Sequence, residues 1–417
     1  VIVPEQSMQT DSEQQQGLEP SPQAYAEALE WLFGQTRAGA PRGLGRIRVL
    51  LERLGHPEQA FPAVQVIGTN GKGSVVAYLE AAFRAAGVRY GATTSPHLVE
   101  FRERIRTNAG QISKAEVTGF ARWARNQHWD EHPAFFDLTT ALAFRHFAQA
   151  GVEIAAVEAG VGGALDATSA LERVWATIVT NVGEDHLEAL GGSLEAVARD
   201  KAGAIRPGVP VLTGAEGIGL QVVREIAEER GAALYVLSEQ NPLFDLPTLP
   251  VLKGRFQQAN ARLAVGALRL LGYPEAAIST GLSTALHPGR MHEFGIEGVR
   301  VVLDGAHNPP AARALAQEFT SYHLVFGGFP RKDYRAVLAL LQPKARSLRY
   351  ARAGKGALKA EVLQQEYWAP YFEEPLEALH QAITQAQQDG GPVLVTGSLY
   401  LVGAVLSGVS DPPSWSG

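Results

Sequence analysis

Cysteine is absent from the 417-residue chain. Disulfides, a thiol nucleophile, iron–sulfur clusters and cysteine zinc sites are therefore excluded. Any metal has to be held by oxygen or imidazole ligands. Long apolar runs are missing as well, since none reaches the roughly 18 residues a membrane helix needs. The first residues carry no basic region, apolar run and cleavage site in signal order. Those absences predict a soluble, cytoplasmic protein with no membrane partner. Positive charge is not in excess either: 37 basic residues face 43 acidic ones, for a net charge of −6, which does not suit a broad nucleic-acid surface. Lysine is the scarce cation, with only 8 of the 37 basic positions. Where arginine is the default, a lysine inside a motif points to chemistry that arginine cannot do.

What is present is enough to build cores. Hydrophobic residues make up 46% and charged residues 19%, which excludes a wholly disordered chain or a coiled coil. The length predicts two or three domains at about 100–200 residues each. Residues 1–22, rich in Gln, Glu and Pro, read as a disordered tail, and 410–417 look similar. Between them, short apolar runs at 64–67, 154–157, 177–181, 209–213, 301–304, 324–326 and 393–396 alternate with helical patterns. That alternation predicts an α/β fold with mainly parallel sheets, whose ligands sit at the carboxyl ends of the strands. A boundary is expected at His287-Pro288-Gly289, after helical patterns at 256–272 and 275–286. It divides the chain into a larger domain, 23–287, and a smaller one, 288–417.

The run Val66-Ile67-Gly68-Thr69-Asn70-Gly71-Lys72-Gly73-Ser74 passes from a strand through a glycine loop into a helix. Glycines let backbone N–H groups approach phosphates, and the helix N-terminus adds a positive dipole. Lys72 can reach the β/γ-phosphates of a nucleotide, and Ser74 offers a hydroxyl to Mg2+. The spacing departs from the usual phosphate-loop pattern, because Gly73 separates Lys72 from Ser74. The competing reading is a plain glycine turn.

Other residues stand out on their own chemistry. Glu158 ends an apolar strand and enters the turn AGVGG, where a carboxylate can meet a hard cation. An ordinary strand-end acid is the alternative. His186, read alone, fits a loop or core histidine. Lys201 follows Val197 by four residues and Leu194 by seven, so it faces inward with the apolar stripe of a helix predicted over 193–205. Its alternative is a lysine snorkelling at the core edge. A buried amine loses its proton more readily and can take up CO2 as a carbamate. Asp304 ends a strand, the place where an acid often binds ribose hydroxyls, and His307 can stack on adenine. Read alone, both residues fit better as a turn with local Asx hydrogen bonds.

The run GTNGKGS at 68–74, followed by TTSPHLVEFRERI at 93–105, resembles folylpolyglutamate synthase and dihydrofolate synthase. These belong to the Mur ligase superfamily of ATP-dependent amide-bond ligases. The resemblance runs from about residue 25 and takes in FFDLTTALAF at 135–144, VEAGVGGALDATS at 157–169, EDH at 184–186, DKAGAI at 200–205, PGR at 288–290, DGAHNP at 304–309 and TGSLYLVG at 396–403. It implies a P-loop-type N-terminal domain and a smaller Rossmann-like C-terminal domain. It implies that Thr69 to Ser74 bind ATP, with Asn260 near the base, Arg290 at the phosphates, and Asp304 and His307 on the nucleoside. Ser74 and Glu158 would hold one Mg2+, and Glu158, His186 and carbamylated Lys201 a second. A monovalent cation such as K+ is a further candidate. Lys72, Lys201, His186 and Arg290 become the catalytic set. Ser95, Pro96, His97, Arg104, Phe136 and Asp166 become substrate contacts, although Phe135 and Phe136 fit core packing as well. Lys332-Asp333 resembles the end of a D-K-D motif.

The chain departs from the family pattern at Ser169, Asp200, Asp137, Leu187 and Arg331. None of these removes a proposed metal ligand, but they bear on pterin and glutamate specificity. The expected activity is addition of L-glutamate to dihydropteroate or a folate through an acyl phosphate. The expected enzyme is a monomer with small-molecule partners only. Two rivals are a Mur-type cell-wall ligase and a nucleotide-binding regulator without catalysis. The first needs a whole domain ahead of the loop, where only 67 residues precede Gly68. The second leaves Glu158, His186 and Lys201 without a purpose.

Overall fold

A computed structural model of the chain describes residues 19–36, 42–185 and 190–409. Residues 1–18 of the tail predicted over 1–22, the predicted tail at 410–417, and His186 and Leu187 lie outside the described residues. The chain becomes helical just inside the predicted tail, where Ser21 caps a helix over Pro22–Gly34.

Strands β1 (Ala63–Ile67), β2 (Tyr90–Thr93), β3 (Ile105–Thr107), β4 (Gly110–Gln111), β5 (Ile154–Glu158), β6 (Val174–Val179), β7 (Val211–Thr213) and β8 (Leu234–Val236) form one sheet, ordered β4-β3-β2-β5-β1-β6-β7-β8. From β2 through β8 the pairing is parallel, and only β3 and β4 run antiparallel at one edge. Strands β1 and β5 are buried along their whole length. That is the pattern of parallel strands covered on both faces. One face carries a core of Phe61, Phe144 and Phe147, the other a core of Leu79, Phe83 and Leu263. Phe147 packs edge-on against Phe61 at 5.6 Å and fills the space beside Gly91. Replacing it by alanine should cost about 3–5 kcal/mol, read from a urea melt.

A second sheet is built from β9 (His292–Ile296), β10 (Val299–Leu303), β11 (Tyr322–Phe326), β12 (Ala345–Ala351), β13 (Tyr371–Phe372) and β14 (Val393–Thr396), ordered β13-β12-β11-β14-β10-β9. All neighbours are parallel except the β9–β10 hairpin. The α/β expectation with mainly parallel sheets therefore holds, with an antiparallel edge on each sheet. Among the described residues no helix is long and apolar enough to cross a membrane.

The order of the first sheet places the site. From β1 the chain crosses outward to β2, returns to β5, and then passes to the other side at β6. The carboxyl ends of β1, β5 and β6 consequently meet at a switch point, where open α/β sheets leave a crevice.

Candidate functional site

The glycine loop leaves β1 at Gly68, whose φ of +147° suits glycine, and an added Cβ there would run into the Thr180 hydroxyl. That hydroxyl instead donates to the Asn70 carbonyl at 2.6 Å. The Asn70 N–H donates to the Asn181 side chain at 2.9 Å, and Thr69 exchanges bonds with the backbone of Gly183. Residues after β6 thus mould the loop. Gly71, at φ +84°, caps the helix Lys72–Ala85 without any side-chain bond. The helix N-terminus is left open for an anion. A Gly71→Ala side chain would strain the backbone and press on Asn260, whose Cγ lies 2.9 Å from the added Cβ. We expect that variant to lose at least tenfold in affinity for a non-hydrolysable ATP analogue by calorimetry, a reorganisation cost of about 1–3 kcal/mol.

Lys72 folds back over the loop and donates to the carbonyls of Gly68 at 3.1 Å and Thr69 at 3.4 Å. Lys201 reaches the same Gly68 carbonyl at 3.0 Å. It projects inward, as its place in the stripe requires, from a helix over Leu194–Ala202 capped by Ser193. That helix stops three residues short of the predicted end. Its last turn is met there by the 160–164 turn, with Ala164 N–H donating to the Asp200 carbonyl at 2.8 Å. Burial first, and then the neighbouring Lys72, bring the Lys201 amine down to about 7. Burial also lowers Lys72, against the pull of Glu158.

Glu158, at the end of β5, places Oε1 3.9 Å from the Lys72 amine, and its Oε2 accepts the Ser95 N–H at 3.0 Å. Burial raises its carboxyl, with Lys72 opposing. A buried carboxylate whose nearest amine stands 3.9 Å away, beyond hydrogen-bond reach, is suited to a hard metal ion. Ser74 is also buried, and its Oγ accepts from Gln257 at 3.1 Å. Ser74 and Glu158 therefore fit Mg2+ as hydroxyl and carboxylate donors, the remaining positions falling to phosphate oxygens and water. Among the described residues no group of three or more His, Asp or Glu is placed to hold a metal. The second predicted site needs His186, which lies outside them.

The SPHL segment is organised by Glu103. Its carboxylate accepts the N–H groups of Leu98, Val99 and Glu100 at 2.7–3.0 Å. Ser95 and Pro96 are joined by a cis bond. Arg104 donates Nε to His97 Nδ1 at 2.8 Å and lies 5.2 Å over the Phe135 ring. Burial lowers the Arg104 guanidinium to about 10 and the His97 imidazole to about 4. Phe33, from the first described helix, closes this group from outside, 5.2 Å from Phe135 and 5.9 Å from His97. Phe136 lines a cavity with Arg104 and Glu158 while also packing on Gly160. Arg106 ties this segment to the phosphate-loop helix. Its Nη2 meets Glu80 at 2.8 Å, and Nη1 holds the Thr94 hydroxyl at 2.9 Å and the Glu103 carbonyl.

Asp166 differs from its expectation as a substrate contact. Its oxygens accept the N–H groups of Gly160, Val161 and Thr168 and the Thr168 hydroxyl. With its hydrogen bonding taken up inside the turn, it shapes the loop after Glu158.

The smaller domain faces this cleft. Arg290, beside His287 and Leu399, lines the same cavity as Gly73, Ser95 and Glu158. Asp304 follows β10 and makes the Asx bond to Ala306 N–H at 2.9 Å, with a second bond from Met291. His307 Nδ1 pairs with the Gly305 carbonyl at 2.8 Å, and burial lowers its imidazole to about 4. Asn260 donates to Gln257 at 2.9 Å, which places it beside Gly71 and Ser74. Among the described residues several polar contacts join the domains directly, including Arg255 N–H donating to Glu318 Oε1 at 2.8 Å and the Asn308 amide donating to Asp185 at 3.1 Å. Asn70 and Asn308 exchange side-chain bonds at 3.1–3.2 Å, and Lys332 binds Asp185 at 2.8 Å. In the sequence Gln257 draws no notice, Asn308 enters only as part of DGAHNP, and His287 only as the domain boundary. No local pattern marks an amide or imidazole whose partners lie in distant segments.

A phosphate loop at the switch point of a parallel sheet, closed by a second α/β domain, is the arrangement of the Mur ligases. Residues 66–206 match the Mur ligase middle domain and 289–399 the Mur ligase glutamate ligase domain. The chain is 32% identical to the dihydrofolate synthase/folylpolyglutamate synthase of Bacillus subtilis, over 91% of this chain and 97% of that protein. It resembles the folylpolyglutamate synthase of Mycobacterium tuberculosis complexed with ADP and AMPPCP, with a TM-score of 0.82 at 27% identity over 93% and 99% of the two chains. The Yersinia pestis bifunctional enzyme complexed with AMPPNP and Mn gives 0.78 at 30% identity over 93% and 99%. The chain belongs to the dihydrofolate synthase/folylpolyglutamate synthase family.

Proposed function

We propose that this protein uses ATP to join L-glutamate to a folate or dihydropteroate carboxylate, through an acyl phosphate, as folylpolyglutamate synthase, dihydrofolate synthase or both. The observation that carries the reading is the convergence of Lys72 and Lys201 on the Gly68 carbonyl, with Glu158 3.9 Å from Lys72, opposite the SPHL segment. The relatives' names and bound nucleotides support the same chemistry. Their near-complete coverage favours this branch over a cell-wall ligase.

The acceptor carboxylate attacks the γ-phosphorus and ADP leaves. The glutamate amine then attacks the acyl carbon, loses a proton, and phosphate departs. Lys72, the open helix end and Arg290 bind and orient the triphosphate, and Arg290 joins them as the domains close. Mg2+ held by Ser74 and Glu158 would offset charge on the phosphate oxygens. Lys201, sharing a carbonyl with a second amine, is the carbamate site. Its neutral nitrogen bonds to the carbon of CO2 and releases a proton, which turns a repulsive ammonium into an anion. With His186 it would complete a second Mg2+ site, and a monovalent cation such as K+ would assist. Asn260, Asp304 and His307 take the nucleoside. Ser95, Pro96, His97, Arg104 and Phe136 take the acceptor. The division at 287/288 is supported by the two separate sheets. A cytoplasmic monomer acting on small molecules completes the proposal.

The full chain, ATP, Mg2+, L-glutamate and a panel of dihydropteroate and reduced folates test it. One acceptor should gain a glutamyl unit by mass, with matching ADP. No glutamate-dependent ADP release with any acceptor would overturn it.

A further inference from the structure

Lys201 can serve the site only if the last turn of its helix is held against the turn that follows Glu158. Two N–H groups of the turn begin the join. Ala164 N–H donates to the Asp200 carbonyl at 2.8 Å, and Gly163 N–H donates to Asp200 Oδ2 at 2.9 Å. The fit is close, since a Cβ on Gly163 would stand 2.8 Å from the Lys201 Cα. The join is then clamped by a residue from a third segment. Arg42 Nη1 binds Asp200 Oδ1 at 2.8 Å, its Nη2 binds Oδ2 at 3.2 Å, and the same Nη2 donates to the Val161 carbonyl at 3.0 Å. The pair is largely sheltered, with side-chain exposures of 25% and 14%. A bidentate fork fixes orientation as well as distance.

We infer that Arg42 is a positioning residue for Lys201. By gripping Asp200 and Val161 together, it sets the spacing between the elements that carry Glu158 and Lys201. The inference rests on Lys201 being the carbamate site. A tethered turn keeps the modified side chain where an ion and the loop can stabilise it. A loosened turn lets the carbamate take up a proton and revert to free amine and CO2.

The test compares the full-length wild type with Arg42→Ala and Arg42→Lys, the latter keeping the charge but not the fork. Carbon-13 NMR with labelled bicarbonate reads carbamate occupancy, calorimetry reads affinity for a non-hydrolysable ATP analogue, and kcat is measured against bicarbonate. Arg42→Ala should bind the analogue within about threefold of wild type. It should lose most of the carbamate signal at ambient CO2, and regain signal and at least tenfold in kcat as bicarbonate rises. Arg42→Lys should fall between the two, and it carries the same test if the alanine variant does not fold. A merely structural salt bridge would lower the melting temperature and leave the bicarbonate dependence of wild type. That result, in a folded variant, overturns the inference. A wild type with no carbamate signal overturns the carbamate reading itself, and this inference with it.

Discussion

Lys201→Ala should lower kcat by on the order of 100- to 1,000-fold, the range seen when one preorganised charge-stabilising group is removed. Affinity for a non-hydrolysable ATP analogue should stay within a few fold. The two readouts separate because of where the side chain sits. The phosphate loop is shaped by Thr180, Asn181 and Gly183, with bonds that do not involve Lys201. Lys201 touches the loop at one carbonyl, Gly68, which Lys72 also holds. On the proposed reading, losing it removes the carbamate that would hold the second Mg2+, and leaves the loop's own bonds standing. Lys201→Met, which keeps the buried stem, should behave the same way. Unchanged turnover in both variants would place the chemistry elsewhere. Loss of nucleotide binding along with turnover would make Lys201 a structural post of the loop.

Lys72→Ala should be the more severe for ATP itself. We expect kcat/KM for ATP to fall by about 1,000-fold, some 4 kcal/mol, through both kcat and KM. Lys72 lies among the loop carbonyls and 3.9 Å from Glu158, and on the proposed reading it would meet the phosphates before and during transfer. Its removal also leaves Glu158 buried with no nearby amine, and electrostatic repulsion of the triphosphate adds to the lost attraction. Lys72→Arg should not restore activity. The amine is boxed by the Gly68 and Thr69 carbonyls, and a planar guanidinium has no room to turn there. Steady-state ATP titrations of both variants check this. A fall in kcat/KM of less than tenfold would move the main phosphate contact to Arg290.

Local features of the chain were readable wherever their cause was local. The strand entering the glycine loop, the helix leaving it and the inward face of Lys201 follow from apolar spacing and glycine placement alone. Strand β14 begins and ends where its apolar run does. Long-range pairing was not readable. Arg42 meets Asp200 across 158 residues, and Asn70 meets Asn308 across 238. The short edge strands β3, β4 and β13 have two or three residues each, too few for any periodicity to register. Asp166 shows the limit most plainly. Its motif suggested a substrate contact, and only the folded turn reveals that Gly160, Val161 and Thr168 take up its carboxylate.

The Arg106–Glu80 pair constrains how such an enzyme can be altered, by drift or by design. Both partners are buried, at 4% and 7% exposure, and they bridge the helix behind the phosphate loop to the segment expected to read the acceptor. Stripping either one alone would break a buried, hydrogen-bonded ion pair, a loss of about 3–5 kcal/mol. The two positions should therefore covary across related genes. A graft that swaps residues 94–106 to change acceptor preference will need position 80 from the same donor, or it will inherit a misfit beneath the nucleotide.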